Sequence, residues 1–203
     1  MNTQNSTSFD ALISQGMAAS RTNDSAQAIE CFQKATASKP QDGLPQFLLG
    51  AEYAALGEMK QAETAFANAT LLAPGFPMAR YQLGLLQFSS GRAGVALLTW
   101  QPLLELPESD PLPHFVRGFA ALAQDHFDEA LRYYGQGLER NTSNAALSND
   151  IQKVVSSIHA LGVQVQSVGG DRAGVAAQDP AGGDEDASNH VLLANYQQQG
   201  RPH

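Results

Sequence analysis

The sequence predicts an all-α protein: an α-solenoid of four helix-turn-helix repeats with a capping helix after the last. Three observations carry that expectation: an ungapped 34-residue period, turn-forming residues at a fixed place within it, and one further amphipathic segment after the fourth unit. Three columns display the period most plainly. Gly16, Gly50, Gly84 and Gly118 fall on it, as do Ala28, Ala62, Ala96 and Ala130, and then Phe32, Phe66, Trp100 and Tyr134. A fourth column holds Pro40 and Pro74 before lapsing to Glu108 and Thr142, and a fifth holds Ala35 and Ala69 before Leu103 and Gly137.

Each column has a physical task if the unit is a pair of antiparallel helices. Glycine at the eighth position and alanine at the twentieth let two helix backbones approach closely. The aromatic ring at the twenty-fourth is expected to fill the space between one hairpin and the next. Between the helices stand Asn23, Gly57, Gly91 and Asp125, residue types that tolerate the left-handed conformation closing a helix. Pro40 and Pro74 sit where the second helix should stop, because proline cannot continue it.

Gly, Ala, aromatic, Ala and Pro on a 34-residue frame resemble the tetratricopeptide repeat family, whose first-helix marks appear here as Leu49, Gly50 and Tyr53. The repeats are placed at 9–42, 43–76, 77–110 and 111–144, after an N-terminal tail at 1–8. The chain departs from the family pattern at the fourth position, with Leu12, Gln46, Arg80 and His114, and at the seventh, with Gln15 and Arg117.

Beyond the fourth repeat, the stretch 143–161 puts Ala146, Ile151, Val154, Val155, Ile158 and Leu161 on one helical face and reads as the cap, closing a domain at 9–161. In the third repeat, Pro102 lies inside the second helix, so a kink near Leu98 is expected; a helix that starts late or stops early is the other reading. Residues 162–188 are rich in Gly, Asp and Ala and read as a flexible acidic linker. The segment 189–203 regains apolar character at Val191, Leu192, Leu193 and Tyr196, which suggests a docking peptide on a tether or, equally, a frayed tail.

The formal charge of −8, with basic residues scattered singly, argues against a nucleic-acid partner. No run is apolar enough for direct membrane insertion, the first ten residues carry no leader pattern, and a lone Cys31 fits a reducing compartment, so a cytoplasmic location is expected. The five histidines have no metal-ligand spacing. The glycines at 91–94 lack a phosphate-loop lysine, and Asp184, Glu185 and Asp186 lie in the linker. A non-enzymatic protein without cofactor or metal is expected.

In the resembled family the first helix of each repeat lines a concave wall at about positions 2, 5, 9 and 12. The resemblance therefore implies a peptide groove made by Leu44, Phe47, Met78, Tyr81, Leu85, Phe88, Leu112, Phe115 and Phe119, with Phe47, Tyr81 and Phe115 as an aromatic ladder. First helices also bury apolar residues against their neighbours, so positions 9 and 12 are the weaker candidates and position 5 the stronger. Some relatives clamp a terminal carboxylate with Lys, Asn and Arg on these columns; here Phe47, Ala51, Tyr81 and Gln82 stand there instead. The expected partner is another protein or peptide with apolar anchors, with the chain acting as an adaptor or chaperone-like protein. The C-terminal segment is a candidate competitor for the groove, in cis or by self-association, since a linker of this length spans roughly 25–30 Å as a coil. The alternatives are a structural subunit of a larger secretion or envelope assembly, or a secretion chaperone for a hydrophobic cargo segment.

Overall fold

The computed structural model describes the backbone of residues 3–170 and the side chains of residues 9–161. The linker beyond residue 170 and the apolar segment at 189–203 lie outside the described residues. Two compact units divide the chain between Trp100 and Gln101.

The first unit contains α1 (Thr3–Arg21), α2 (Ser25–Ser38), α3 (Leu44–Ala55), α4 (Met59–Leu72), α5 (Pro77–Ser89) and α6 (Ala93–Trp100). They form three hairpins, α1 with α2, α3 with α4 and α5 with α6, and α2 packs on α3 as α4 packs on α5. The second unit opens with a 3-10 segment at Gln101–Glu105 and continues through α7 (Pro111–Leu122), α8 (Phe127–Arg140) and α9 (Ala145–Gly170). Here α7 and α8 form the hairpin and α9 packs on α8. No strand occurs among the described residues.

All four turns close by one device. Asn23, Gly57, Gly91 and Asp125 have φ of 59°, 75°, 76° and 57°. The residue after each donates its N–H to a carbonyl five residues back, in Asp24 to Ala19, Glu58 to Tyr53, Arg92 to Gln87 and His126 to Ala121, at 2.8 to 3.0 Å. That 6→1 bond satisfies a carbonyl that the helix end would otherwise orphan. At the other end of the hairpins α2 and α4 stop two residues short of Pro40 and Pro74. Three first helices also carry proline in the first turn, Pro45, Pro77 and Pro111, where a missing N–H costs nothing.

The glycine and aromatic columns meet inside each hairpin. A Cβ on Gly50 would lie 2.6 Å from the Phe66 ring, and Gly16, Gly84 and Gly118 stand in the same relation to Phe32, Trp100 and Tyr134. The ring at position 24 therefore rests on the glycine of its own first helix, and Phe32 and Phe66 also join clusters with residues of the following hairpin, Leu49 for the one and Leu83 and Leu86 for the other. Glycine is required there because the ring occupies the volume a side chain would need. Ala28, Ala62, Ala96 and Ala130 are all fully buried beside these rings.

Two further expectations change. Pro102 does not kink a continuous helix: α6 ends at Trp100 and the chain runs on as a 3-10 segment. The proline has no N–H for the Leu98 carbonyl, and the α-helix stops before its ring instead of bending around it. On α9 the buried face is Leu147, Ile151, Val154 and Ile158; Ala146 is exposed, and Val155 and Leu161 are half-buried.

Candidate functional site

The candidate surface is the set of first-helix side chains at positions 2, 5, 9 and 12, and the structure divides it sharply. Tyr81 and Phe115 are fully buried, and Phe88, Leu112 and Phe119 are buried as well. Phe47, Met78 and Leu85 are half-buried, and Leu44 is 38% exposed. The aromatic ladder expected at Phe47, Tyr81 and Phe115 is thus interior at two of its three rungs.

The cause is the glycine contact just described. Because Gly84 draws the indole of Trp100 onto α5, Tyr81 and Phe88 on that helix stack on it, each at 5.9 Å between ring centroids. Trp100 Nε1 also donates to the Tyr81 carbonyl at 2.9 Å. In the second unit Phe119 meets Tyr134 edge-on at 5.4 Å, and the Phe115 ring fills the space over Gly137. Phe47 follows the same rule with a smaller neighbour: it touches Phe66 at 5.8 Å and Phe76 at 4.8 Å, leaving part of its ring accessible. Trp at position 24 was the available signal, since a ring larger than Phe needs more of the first helix to enclose it.

What stays open belongs to the first helices of the first unit. Met17 on α1 is 39% exposed, and Leu44 and Ala51 on α3 are exposed, beside half-buried Phe47, Met78 and Leu85. Asp42 sets the start of α3 by accepting from the Leu44 N–H at 2.9 Å. Gln82 is the polar member of this surface and is half-buried. None of the tail residues Val191, Leu192, Leu193 and Tyr196 falls within the described residues.

Charged groups do other work. Arg92 donates twice to Glu63, at 2.9 and 2.8 Å, tying the start of α6 to α4, and these bonds hold the Glu63 carboxyl below its ordinary pKa. Arg117 does the same for Glu108 at 3.0 and 2.6 Å, with the same direction of shift. Arg140 Nε donates to the Glu108 carbonyl at 2.8 Å, and buried His114 contacts that carbonyl through Nε2 at 2.9 Å. His114, a departure from the family pattern at the fourth position, thus anchors the connector before α7. A hollow of about 450 Å³ between α3 and α4 is rimmed by Gln46, Lys60, Thr64 and Asn68, with Gln46 bonded to Asn68 at 3.4 Å. Among the described residues no three His, Cys, Asp or Glu side chains converge as a metal site would require, and no helix is long and apolar enough to cross a membrane.

Helical hairpins repeated on a constant frame, each closed by the same left-handed turn, define a helical-repeat protein of the α-solenoid class. Residues 9–42 match the tetratricopeptide repeat family model. Among solved structures it is similar to a crystal structure of MamA, at 22% identity and a TM-score of 0.55, over 65% of this chain and 77% of that one. It is similar to residues 41 to the end of MamA from Desulfovibrio magneticus RS-1, at 14% identity and a TM-score of 0.56, over 81% of this chain and 98% of the other. A mutant O-GlcNAc transferase of Thermobaculum terrenum matches at 21% identity and a TM-score of 0.57, over 69% of this chain. The match spans only 27% of the transferase. At these identities the likeness is one of fold. No curated protein matches the chain.

Proposed function

We propose that the protein is a non-enzymatic adaptor that binds an apolar or amphipathic peptide of another protein on the first helices of its first unit. One observation carries the reading: Met17, Leu44 and Ala51 stay exposed beside half-buried Phe47, Met78 and Leu85, while the same columns on α7 are closed. Clustered accessible apolar side chains among polar surroundings are the usual mark of a peptide-binding surface. The match of residues 9–42 to the tetratricopeptide repeat model agrees with a scaffold role, and the activity of the transferase stays with that protein. Of the residues first assigned to the groove, Leu44, Phe47, Met78 and Leu85 are retained; Tyr81 and Phe88 are buried in the first unit, and Leu112, Phe115 and Phe119 in the second.

The C-terminal segment with Val191, Leu192, Leu193 and Tyr196 is proposed to compete for the same surface, because it is the one apolar stretch after the acidic linker. The test is a fluorescence-anisotropy screen of labelled amphipathic peptides against the full chain, the Leu44→Ser/Leu85→Ser double variant, and a chain lacking residues 188–203. The reading expects tight binders that the double variant loses at least tenfold and that the shortened chain binds more tightly. A double variant that binds as well as the original chain removes the first helices from the proposal; unchanged affinity in the shortened chain removes the competition alone.

A further inference from the structure

Position 4 of the repeat is spent on packing in three of the four units. Leu12 joins the cluster around Phe9 and Phe32, Arg80 reaches the Thr99 carbonyl at 3.4 Å, and His114 is buried against the Glu108 carbonyl. Gln46 differs: it is half-buried on the wall of the 450 Å³ hollow between α3 and α4, over buried Leu49 and Ala65 and beside the Tyr53 ring. The polar groups round that hollow come from three helices and meet only at the limit of hydrogen bonding. Gln33 on α2 donates to the Tyr53 hydroxyl at 3.3 Å, Asn68 on α4 to Gln46 at 3.4 Å, and Gln46 to the Thr36 hydroxyl on α2 at 3.5 Å. Neutral side-chain pairs elsewhere close fully, Thr99 on Gln87 at 2.6 Å and Asn141 on Ser148 at 2.8 Å. Contacts stretched beyond roughly 3.2 Å are weak, so these carboxamides and hydroxyls are held ready by packing while giving up little to one another.

We propose that this cleft binds a sugar acid: a polyhydroxylated ring bearing one carboxylate, of the hexuronate kind. The lining selects that chemistry. Carboxamides and hydroxyls each donate and accept, as the hydroxyls of a sugar do, so a ring of them can be matched in either direction. The main-chain groups of α3 and α4 along the cleft are engaged within their helices, so a peptide backbone finds no strand edge to pair with there. Leu49, Ala65 and the Tyr53 ring give an apolar floor for the C–H face of such a ring. Lys60 stands on the rim with no acid partner among the described residues, and no lining residue is a carboxylate. Glu58, just before α4, is already the acceptor of a bond from Gln61 at 2.8 Å. Lys60 is therefore the counter-charge for the ligand's carboxylate. The volume falls within the roughly 300–1,000 Å³ of small-molecule sites. On α3 the cleft uses positions 4, 7 and 11, none of them a position of the peptide surface, so it stands independently of that reading.

Two-dimensional NMR titration of the isotope-labelled full chain tests it, at constant ionic strength, with sodium glucuronate, glucose, sodium acetate and N-acetylglycylglycinamide as probes. Glucuronate is expected to give saturable shifts at Gln46, Gln61 and Asn68 with a dissociation constant of about 1–10 mM, as befits a small ligand held by a few hydrogen bonds. Glucose should bind at least fivefold more weakly, and acetate should not saturate. Lys60→Gln, a change at an exposed side chain, should bring glucuronate down to the affinity of glucose, and Gln46→Leu should weaken both sugars at least fivefold. Lys153→Gln on α9, a comparable exposed lysine in the second unit, should change neither. The proposal is overturned if glucuronate gives no saturable shift at the cleft up to about 50 mM, a concentration well above that expected constant. Unchanged glucuronate affinity in Lys60→Gln or in Gln46→Leu also overturns it. Acetate binding as tightly as glucuronate overturns it in favour of bare ion pairing, and N-acetylglycylglycinamide doing so overturns it in favour of a peptide.

Discussion

Helices α3 and α7 stand at the same place in the second and fourth repeats, and both carry proline in their first turn. They end up in opposite environments. In α3, Pro45, Leu49, Gly50 and Glu52 are buried, while Leu44 and Ala51 remain exposed. In α7 all four wall positions, Leu112, Phe115, Phe119 and Leu122, are buried, as are Pro113, His114 and Val116. The wall columns of α3 are Leu44, Phe47, Ala51 and Ala54; those of α7 are bulky throughout. A column that is bulky at every turn holds enough apolar area to become core, whereas one interrupted by alanines keeps only isolated anchors. The same frame position can thus be interior in one repeat and surface in another.

The sharpest way to break this comparison is to truncate the matching ring in each helix. Phe115→Ala is expected to cost about 3–5 kcal/mol, as a fully buried phenylalanine does. Phe47→Ala should cost clearly less, because part of that ring is already in water. Urea unfolding of the two variants measures the difference. Equal costs would erase the distinction between an open and a closed first helix.

A second pair of substitutions probes the contact that produces the closure. A Cβ at Gly118 would lie 2.5 Å from Tyr134, so Gly118→Ala is expected to destabilise by about 1–3 kcal/mol through overpacking. Gly94→Ala on the outer face of α6 meets nothing and should stabilise by up to about 1 kcal/mol, the helix-propensity gain of alanine over glycine. Thermal melts that ranked the two in the reverse order would remove the ring-on-glycine contact as the organising feature. The peptide surface gives a third, smaller effect. Leu44→Ser is expected to change stability by less than about 1 kcal/mol while weakening a bound amphipathic peptide, as surface substitutions away from packed features generally do little to folding.

Much of the fold was legible because its columns are backbone constraints. The residues at 23, 57, 91 and 125 announce positive φ by type, and the glycine, alanine and aromatic columns announce close packing. The class of fold follows from that alone. The accessible surface was less legible, because exposure depends on the size of neighbours three and four positions away and across the hairpin. Trp100 is the clearest instance: one larger ring in a known column enclosed both Tyr81 and Phe88. The end of α6 was left between two readings for a related reason, since proline permits either a bend or a stop and the choice lies in packing.

The smallest effect compares the two bidentate ion pairs, one in each unit. Glu63 is 31% exposed in its pair with Arg92, and Glu108 is 66% exposed in its pair with Arg117. In both, the guanidinium's hydrogen bonds hold the carboxyl below its ordinary pKa. A depressed carboxyl contributes stability that is fully present above its unfolded pKa and is lost as pH falls through its folded one. The contribution of Glu63 should therefore be constant from pH 7 to about 5 and fade only below about pH 4.5. Glu63→Gln is expected to cost at most about 1 kcal/mol at pH 7 and less at pH 3. Glu108→Gln should change the Arg117 contact by less, because water screens that pair more fully. Urea midpoints of both variants against the original chain at pH 7 and pH 3 measure the four values. A Glu63→Gln deficit that did not shrink at all between pH 7 and pH 3 would mean that the side chain matters for its packing on α4 and not for its charge.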